Sequence, residues 1–555
     1  MAEMPDRPLV PAVLARGARG AVVAPHHLAT AAGLSVLRAG GHAVDAAIAA
    51  NAVLSVVAPS ACGIGGDAFW LIWDEPSARQ LALNGSGRSA AASDPARLRA
   101  DGYARMPLRG PLAVTVPGAV RSWGDAHDRF GRLSRAAVLG PAIELATGGY
   151  PAWDGFIAAV ERTAPLIEAA LGRGASWFRV YRPHDRPWRP GELVRLPGQG
   201  ATLQRLADAG WDDFYAGEIG DLQARALAAA GSPLTAADLR EHRSTWAEPL
   251  AIDYRGVRVT SHPPNSSGIV ALELLTILAA LEPPGPDVFA GGAGADVRWV
   301  HHGIEASKLA FADRDAWLTD PEAVAIPVAE LLDPGRAARL AASIHPARAL
   351  RPDPSRSPRG GGTVYLAAVD AEGNAVSLIE SNYKGFGSGV VDPVTGIGFQ
   401  NRGSYFSLEP GHPNVLAPRK RTLHTLLPGL LMRDGRPWVV AGSMGGDAQP
   451  QIHAQLVSSL VDGGLDIATA LAAPRWFVEP ASHFAPPVDV RLEPRFRPGL
   501  AETLAAIGHP VAMVEPFDSG MGHCHAIELV DGGPAHGGSL AAATDPRSEG
   551  LPAVW

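Results

Sequence analysis

Two apolar runs organise the second half of the chain: Val364 to Val369 and Ala375 to Ile379, separated by Asp370-Ala371-Glu372-Gly373-Asn374. Rich in Val, Ile, Leu and Tyr and joined by a turn sequence, they predict a β-hairpin whose first strand starts at Thr363 and lies centrally in its sheet. Gly360, Gly361 and Gly362 precede that threonine and leave the peptide before it open to close approach. Nearer the N-terminus, Gly20 to Ala24 reads as a short strand, and helical spacing from Leu28 to Leu37 stops at Gly40-Gly41. Asp45 to Val57 is apolar on most sides and predicts a buried helix. A glycine-rich turn, Pro59 to Ala68, feeds a strand over Phe69 to Trp73, and Leu81 to Asn84 is a further strand. Helical spacing returns between Pro117 and Ala146, Leu234 to Leu239 is a capped helix start, and Pro263 to Gly268 caps an apolar helix over Ile269 to Leu281. Pro334 to Arg359, rich in Pro, Arg and Ser, predicts an exposed linker. The chain after it is expected to be strand-dense up to Phe406, then over Pro418 to Arg433 and Trp438 to Ser443, with a helix over Ile452 to Val461. No internal repeat is present.

Composition narrows the class without choosing a chemistry. The 555 residues are 46% hydrophobic and 19% charged, enough to bury a large core. With 48 Lys+Arg against 56 Asp+Glu the formal charge is −8, which disfavours nucleic acid as a partner. Cys62 and Cys524 are the only cysteines, so neither a disulfide framework nor a zinc spacing is available. The apolar stretches Ala43 to Ala58 and Ile269 to Leu281 are short of a membrane span and interrupted by polar residues. The N-terminal residues lack a charged segment followed by an apolar one, so the expected location is cytoplasmic. Gly63-Ile64-Gly65-Gly66 has the look of a phosphate cradle, but no helix follows it and no lysine is placed for a P-loop. His523-Cys524-His525 would put two histidines on one face of a strand without an evident carboxylate partner. No metal and no cofactor are expected.

The candidate chemistry lies at Thr363. A Gly-Gly-Gly-Thr entry to a strand is ordinarily a flexible loop followed by a β-branched residue in its preferred place. If the Gly362–Thr363 bond were cut, however, the new α-amine would lie beside the threonine's own hydroxyl. An α-amine titrates near pH ~8, so at neutral pH a useful fraction can take the hydroxyl proton and no separate histidine is required.

The run Gly362-Thr363 through Val369-Asp370-Ala371-Glu372-Gly373-Asn374-Ala375-Val376 resembles the start of the small subunit of γ-glutamyltransferases, the glutathione-hydrolysing family of N-terminal nucleophile (Ntn) hydrolases. Ala32 to Asp67, Asp213 to Glu218, His302 to Pro321, Gly442-Ser443-Met444-Gly445-Gly446-Asp447 and Ala543 to Gly550 resemble later and earlier segments of the same family, in the same order. The resemblance implies an α/β four-layer αββα sandwich of the Ntn type. It also implies self-cleavage between Gly362 and Thr363 into a large piece, 1–362, and a small one, 363–555, that stay together as a heterodimer in one intertwined body, and it leaves open a dimer of these heterodimers.

Carried over residue by residue, the resemblance makes Thr363 the nucleophile, Gly445 and Gly446 the backbone donors of the oxyanion hole, and Ser381 the hydroxyl supporting the nucleophile. Arg88 is placed to hold the α-carboxylate of a γ-glutamyl group. Where typical members surround the substrate α-ammonium with Asn, Gln and Asp, this chain has Tyr383, Arg402 and Tyr405, and the usual serine pair becomes His424-Thr425. An arginine there would repel a cation and favour a carboxylate or a neutral group. The short stretch from Pro410 to Pro418 leaves no room for a lid loop, as in the branch that includes glutaryl-type cephalosporin acylases. The expected activity is therefore hydrolysis or transfer of the acyl group of a γ-glutamyl amide such as glutathione. A glutaryl-type acylase without α-amino recognition, and an unprocessed binding protein for acidic peptides, remain alternatives.

Overall fold

The computed structural model describes residues 13–284, 296–350, 362–478 and 490–555. Gly360 and Gly361 of the glycine run lie outside them.

The predicted hairpin is present: Gly362–Val369 pairs antiparallel with Ala375–Tyr383, the turn being closed by Asp370, whose carboxylate accepts from the amides of Glu372 and Asn374 at 3.0 Å each. On one side the first strand pairs with Ala21–Val23; on the other the second pairs with Asp67–Asp74. These strands are the centre of a seven-stranded sheet running in space Ala553–Val554, Ala21–Val23, Gly362–Val369, Ala375–Tyr383, Asp67–Asp74, Arg79–Gly85 and Thr245–Ala247. A second seven-stranded sheet runs Leu14–Gly17, Ser539–Thr544, His523–Val530, Arg436–Met444, Pro428–Arg433, Val257–Ser261 and Leu250–Tyr254. Each sheet takes strands from both sides of residue 362.

Alternation along the strands explains why the sheets stack. Tyr365, Ala367 and Val369 join Phe69, Leu71, Leu430, Val440 and Ile527 in a core between the two sheets, whereas Val364, Leu366 and Ala368 face the opposite way into a core with helices. That outer helical layer includes His27–Arg38, Ala43–Val57, Ala119–Phe130 and Arg135–Gly148. Ala43–Val57 is buried along its whole length, as its all-round apolar pattern requires. The second sheet is covered on its far side by Gly268–Ala279, Val297–Trp317 and Gln449–Val461. Helices, sheet, sheet and helices make the four-layer αββα sandwich of the Ntn hydrolases. A fully buried aliphatic or phenyl side chain in such a core contributes about 1.5–3 kcal/mol by leaving water.

Three expectations give way. Part of the predicted linker is a helix, Pro334–Ser343, capped by Asp333, which accepts from Arg336 N at 2.7 Å, with Pro334 in the first turn; residues 351–359 lie outside the described ones. Beyond Tyr383 the expected strands are turns and a short 3₁₀ segment, Arg402–Tyr405, because glycines at 385, 387 and 389 and a positive φ at Phe386 bend the chain. Between Pro418 and Arg433 the strand occupies only Pro428–Arg433.

Candidate active site

Thr363, Ser381 and Asp67 stand at the ends of three adjacent strands. Each lies an even number of residues from a member of the inter-sheet core, Tyr365, Ile379 and Phe69 respectively, so all three project toward the second sheet. The hairpin register breaks there. Gly362 pairs with Tyr383 but Val364 with Glu380, so Ser381 and Asn382 together oppose Thr363 alone. A bulge of this kind re-aims the side chains beside it, and Tyr383, immediately after it, has φ of +73°, a conformation a bulky residue holds only when its surroundings impose it.

The consequence is a hydroxyl with a full set of partners. Ser381 Oγ donates to the carbonyl oxygen of Gly362 at 2.5 Å. It accepts from Tyr383 N at 2.7 Å, from Thr363 Oγ1 at 3.2 Å and from Arg402 Nη2 at 3.3 Å. Ser381 thus touches both the proposed nucleophile and the carbonyl of the bond expected to break.

Arg402 is 1% exposed, and its Nη1 donates to Thr425 Oγ1 at 3.1 Å. Its guanidinium lies over the ring of Tyr383, 4.4 Å from the centroid, and 5.5 Å from that of Tyr405. Its Nε has no hydrogen-bond partner. Burial pushes the guanidinium below its ordinary range, opposed by Tyr405, Tyr383, Asp67 and Asp447. Tyr405 donates to Asp447, 3.2 Å from each carboxylate oxygen, and Asp447 is also bound by Arg314 at 2.7 Å. The acid that follows the glycine pair is therefore already neutralised by Arg314.

His424 Nε2 meets Asp67 Oδ2 at 3.2 Å. Burial, followed by Arg402 and His262, drives the imidazole well below its usual range, so it is neutral. Gly445 and Gly446 lie beyond the end of Arg436–Met444, with φ of +151° and +58°. Both values are glycine conformations, and a Cβ on Gly445 would come 3.0 Å from Ile452 Cδ1. The pair begins the 3₁₀ turn that leads into Gln449–Val461.

The structure thus gathers Thr363, Ser381, Tyr383, Arg402, Tyr405 and Thr425 into one hydrogen-bonded and stacked cluster. Arg88 is bonded elsewhere: its Nη2 reaches both carboxylate oxygens of Glu322, at 2.7 and 2.8 Å, a carboxylate that Arg421 also reaches at 2.9 Å. No hydrogen bond joins Arg88 to the Thr363 cluster among the described residues. His523 and His525 do share a strand, but their neighbours are Ser519 Oγ and the Asp545 amide.

Two buried acids were not singled out in the sequence. Glu380 accepts from Gly63 N at 3.0 Å, and burial raises its carboxyl well above the ordinary range. Asp67, in register opposite Ser381, is raised to about 7 by burial, against the pull of Arg402 and the amides of Gly87 and Gly118. A buried acid inside an apolar run such as Asp67-Ala-Phe-Trp-Leu-Ile-Trp73 is the signal that would have found the second. Away from the site, His301, Glu305 and His509 converge closely enough to hold a metal ion, but Lys308 already bonds Glu305 at 2.7 Å and lies 3.4 Å from His509 Nδ1, filling the place with an ammonium group.

Among the described residues no helix is long and apolar enough to cross a membrane. Residues 29–555 match the family model described as Gamma-glutamyltranspeptidase. The glutathione hydrolase-like YwrD proenzyme of Bacillus subtilis is 38% identical over 535 residues, covering 96% of this chain and 98% of that protein. The oxamate amidohydrolase proenzyme of Klebsiella pneumoniae is 39% identical over 550 residues, covering 97% and 98%. The crystal structure of cephalosporin acylase from Bacillus halodurans superposes with a TM-score of 0.90 at 38% identity, covering 100% of this chain and 99% of its own. With Thr363 opening a central strand, a serine on its hydroxyl and a glycine pair at the end of the facing sheet, the chain belongs to the Gamma-glutamyltranspeptidase family.

Proposed function

We propose that the chain is the precursor of a self-processing amide hydrolase in which Thr363 is the nucleophile, and that its preferred acyl group is short and carries a carboxylate. The observation that carries the first part is the Ser381 hydroxyl, bonded at once to Thr363 Oγ1 and to the Gly362 carbonyl oxygen. In maturation, Thr363 Oγ1 attacks the Gly362 carbonyl carbon and loses its proton. Negative charge builds on the carbonyl oxygen that Ser381 already contacts, and the C–N bond to Thr363 breaks as that nitrogen takes a proton. The resulting ester is cleaved by water, leaving Gly362 as a carboxylate and Thr363 with a free α-amine.

That amine then serves as base in turnover. It removes the Oγ1 proton as the oxygen attacks the substrate amide, and the oxyanion is met by the Gly445 and Gly446 N–H groups. The amine leaving group departs with a proton, and water resolves the acyl-enzyme on Thr363.

For the acyl group, the reading rests on Arg402, a buried cation with one unpaired N–H in direct contact with Ser381. A carboxylate matches that donor, whereas an α-ammonium would be repelled. The names of the relatives span both possibilities, from glutathione hydrolase-like to oxamate amidohydrolase and cephalosporin acylase. A panel of oxamate, a glutaryl anilide, a γ-glutamyl anilide and glutathione decides among them. Faster hydrolysis of the first two is expected; a clear preference for the γ-glutamyl compounds would overturn the assignment of Arg402.

A further inference from the structure

Asp67 belongs to none of the roles above, yet it is fully buried within the same cluster. Oδ1 accepts from Gly87 N at 3.0 Å, and the Gly118 amide at the start of helix Ala119–Phe130, which donates to the Gly66 carbonyl at 2.9 Å, also favours the anion. Oδ2 faces His424 Nε2 at 3.2 Å. Because His424 Nδ1 is the acceptor for Leu426 N at 3.4 Å, the ring hydrogen sits on Nε2 and points at the carboxylate. Every hydrogen-bonding neighbour of Asp67 is therefore a donor. Only the anion fits such a set, since a protonated carboxyl would press its own hydrogen against N–H groups.

His424 is followed directly by Thr425, the acceptor for Arg402 Nη1, and Asp67 pairs in register with Ser381, the acceptor for Nη2. The two hydroxyls that orient the guanidinium thus each trace back to Asp67, one through the His424 bond and one across the sheet. We infer that Asp67, through His424 and Thr425, is the positioning residue that aims Arg402 at a carboxylate-bearing acyl group, and that it acts only as the anion. This rests on the reading of Arg402 given above.

The groups whose charge reaches Asp67 are Arg402 and Arg421, which favour its anion, and Glu380 and Tyr215, whose own titration it opposes. Burial sets its titration at about 7, inside the working range of an amide hydrolase. Binding of an anionic acyl group should then weaken as pH falls through that value.

The test compares wild type, Asp67→Asn and Arg402→Met as processed enzymes, using the carboxyacyl amide of the panel that wild type hydrolyses best. Asp67→Asn is expected to raise KM about ten-fold or more, with kcat held within about three-fold and fragment formation intact. In wild type KM should climb as pH drops below 7; in the variant it should not. An unchanged KM, or the same climb in Asp67→Asn, overturns the inference. If Asp67→Asn does not fold, His424→Leu, which has no hydrogen to donate to the carboxylate and leaves Asp67 itself in place, is held to the same criteria. Loss of carboxyacyl binding in Arg402→Met but not in either of these leaves the reading of Arg402 standing and removes only Asp67. Unaltered binding in Arg402→Met, or no hydrolysis of any carboxyacyl amide, removes both.

Discussion

Replacing Ser381 by alanine deletes one oxygen and unbalances four groups. Tyr383 N and Arg402 Nη2 lose an acceptor, Thr363 Oγ1 loses the partner that orients it, and the Gly362 carbonyl loses its donor. The last loss bears on rate: removing one donor from a developing oxyanion costs about 2.7–4 kcal/mol, or ~10²–10³ in rate. Each buried donor left unsatisfied costs a further ~1–3 kcal/mol of stability, so the variant should also melt lower. Freshly purified Ser381→Ala, followed over days by denaturing gel and intact mass, should convert from one chain to two fragments with a half-time extended ~10²–10³-fold. Ser381→Thr, which restores a hydroxyl, should process within an order of magnitude of wild type, separating chemistry from misfolding. If folded Ser381→Ala splits within a few-fold of the wild-type rate, the hydroxyl is not the donor and the proposed maturation route is wrong.

Other outcomes follow from the same geometry. Thr363→Ala should remain a single 555-residue chain without turnover, and any residual hydrolysis would place the nucleophile elsewhere. Gly442→Ala would put a Cβ 2.2 Å from Tyr365 Cε2, an overpacked contact costing about 1–3 kcal/mol, read as a lower melting temperature with the fold retained. Glu380 is raised well above the carboxylate range by burial, so its contribution to stability is present below the unfolded value and is lost as pH rises through the folded one. The melting advantage of Glu380→Gln over wild type should accordingly grow as pH rises above the ordinary carboxylate range; a difference that stays flat with pH would mean that the Glu380 carboxyl is not raised.

The hairpin and the buried helix Ala43–Val57 were legible because their signals are local: two apolar runs about a Gly-Asn turn, and an apolar stretch of helical length. The helix Pro334–Ser343 carried a local signal too, Asp333 as cap before Pro334, but its arginines, Arg336 and Arg339, read as linker composition. Arg88 pairs with Glu322, 234 positions away, a partner that its own stretch of sequence does not announce. The Asp67–His424 contact spans 357 positions and the bulge beside Thr363 is a matter of register. Neither leaves a periodic trace, because both are set by which strands the two sheets bring together.

The most direct measurement is intact-mass analysis and N-terminal sequencing of the purified, active protein. The account predicts two fragments, with the smaller beginning at Thr363 and its α-amine free. Full activity in material whose residue 363 is still joined to Gly362 would contradict it.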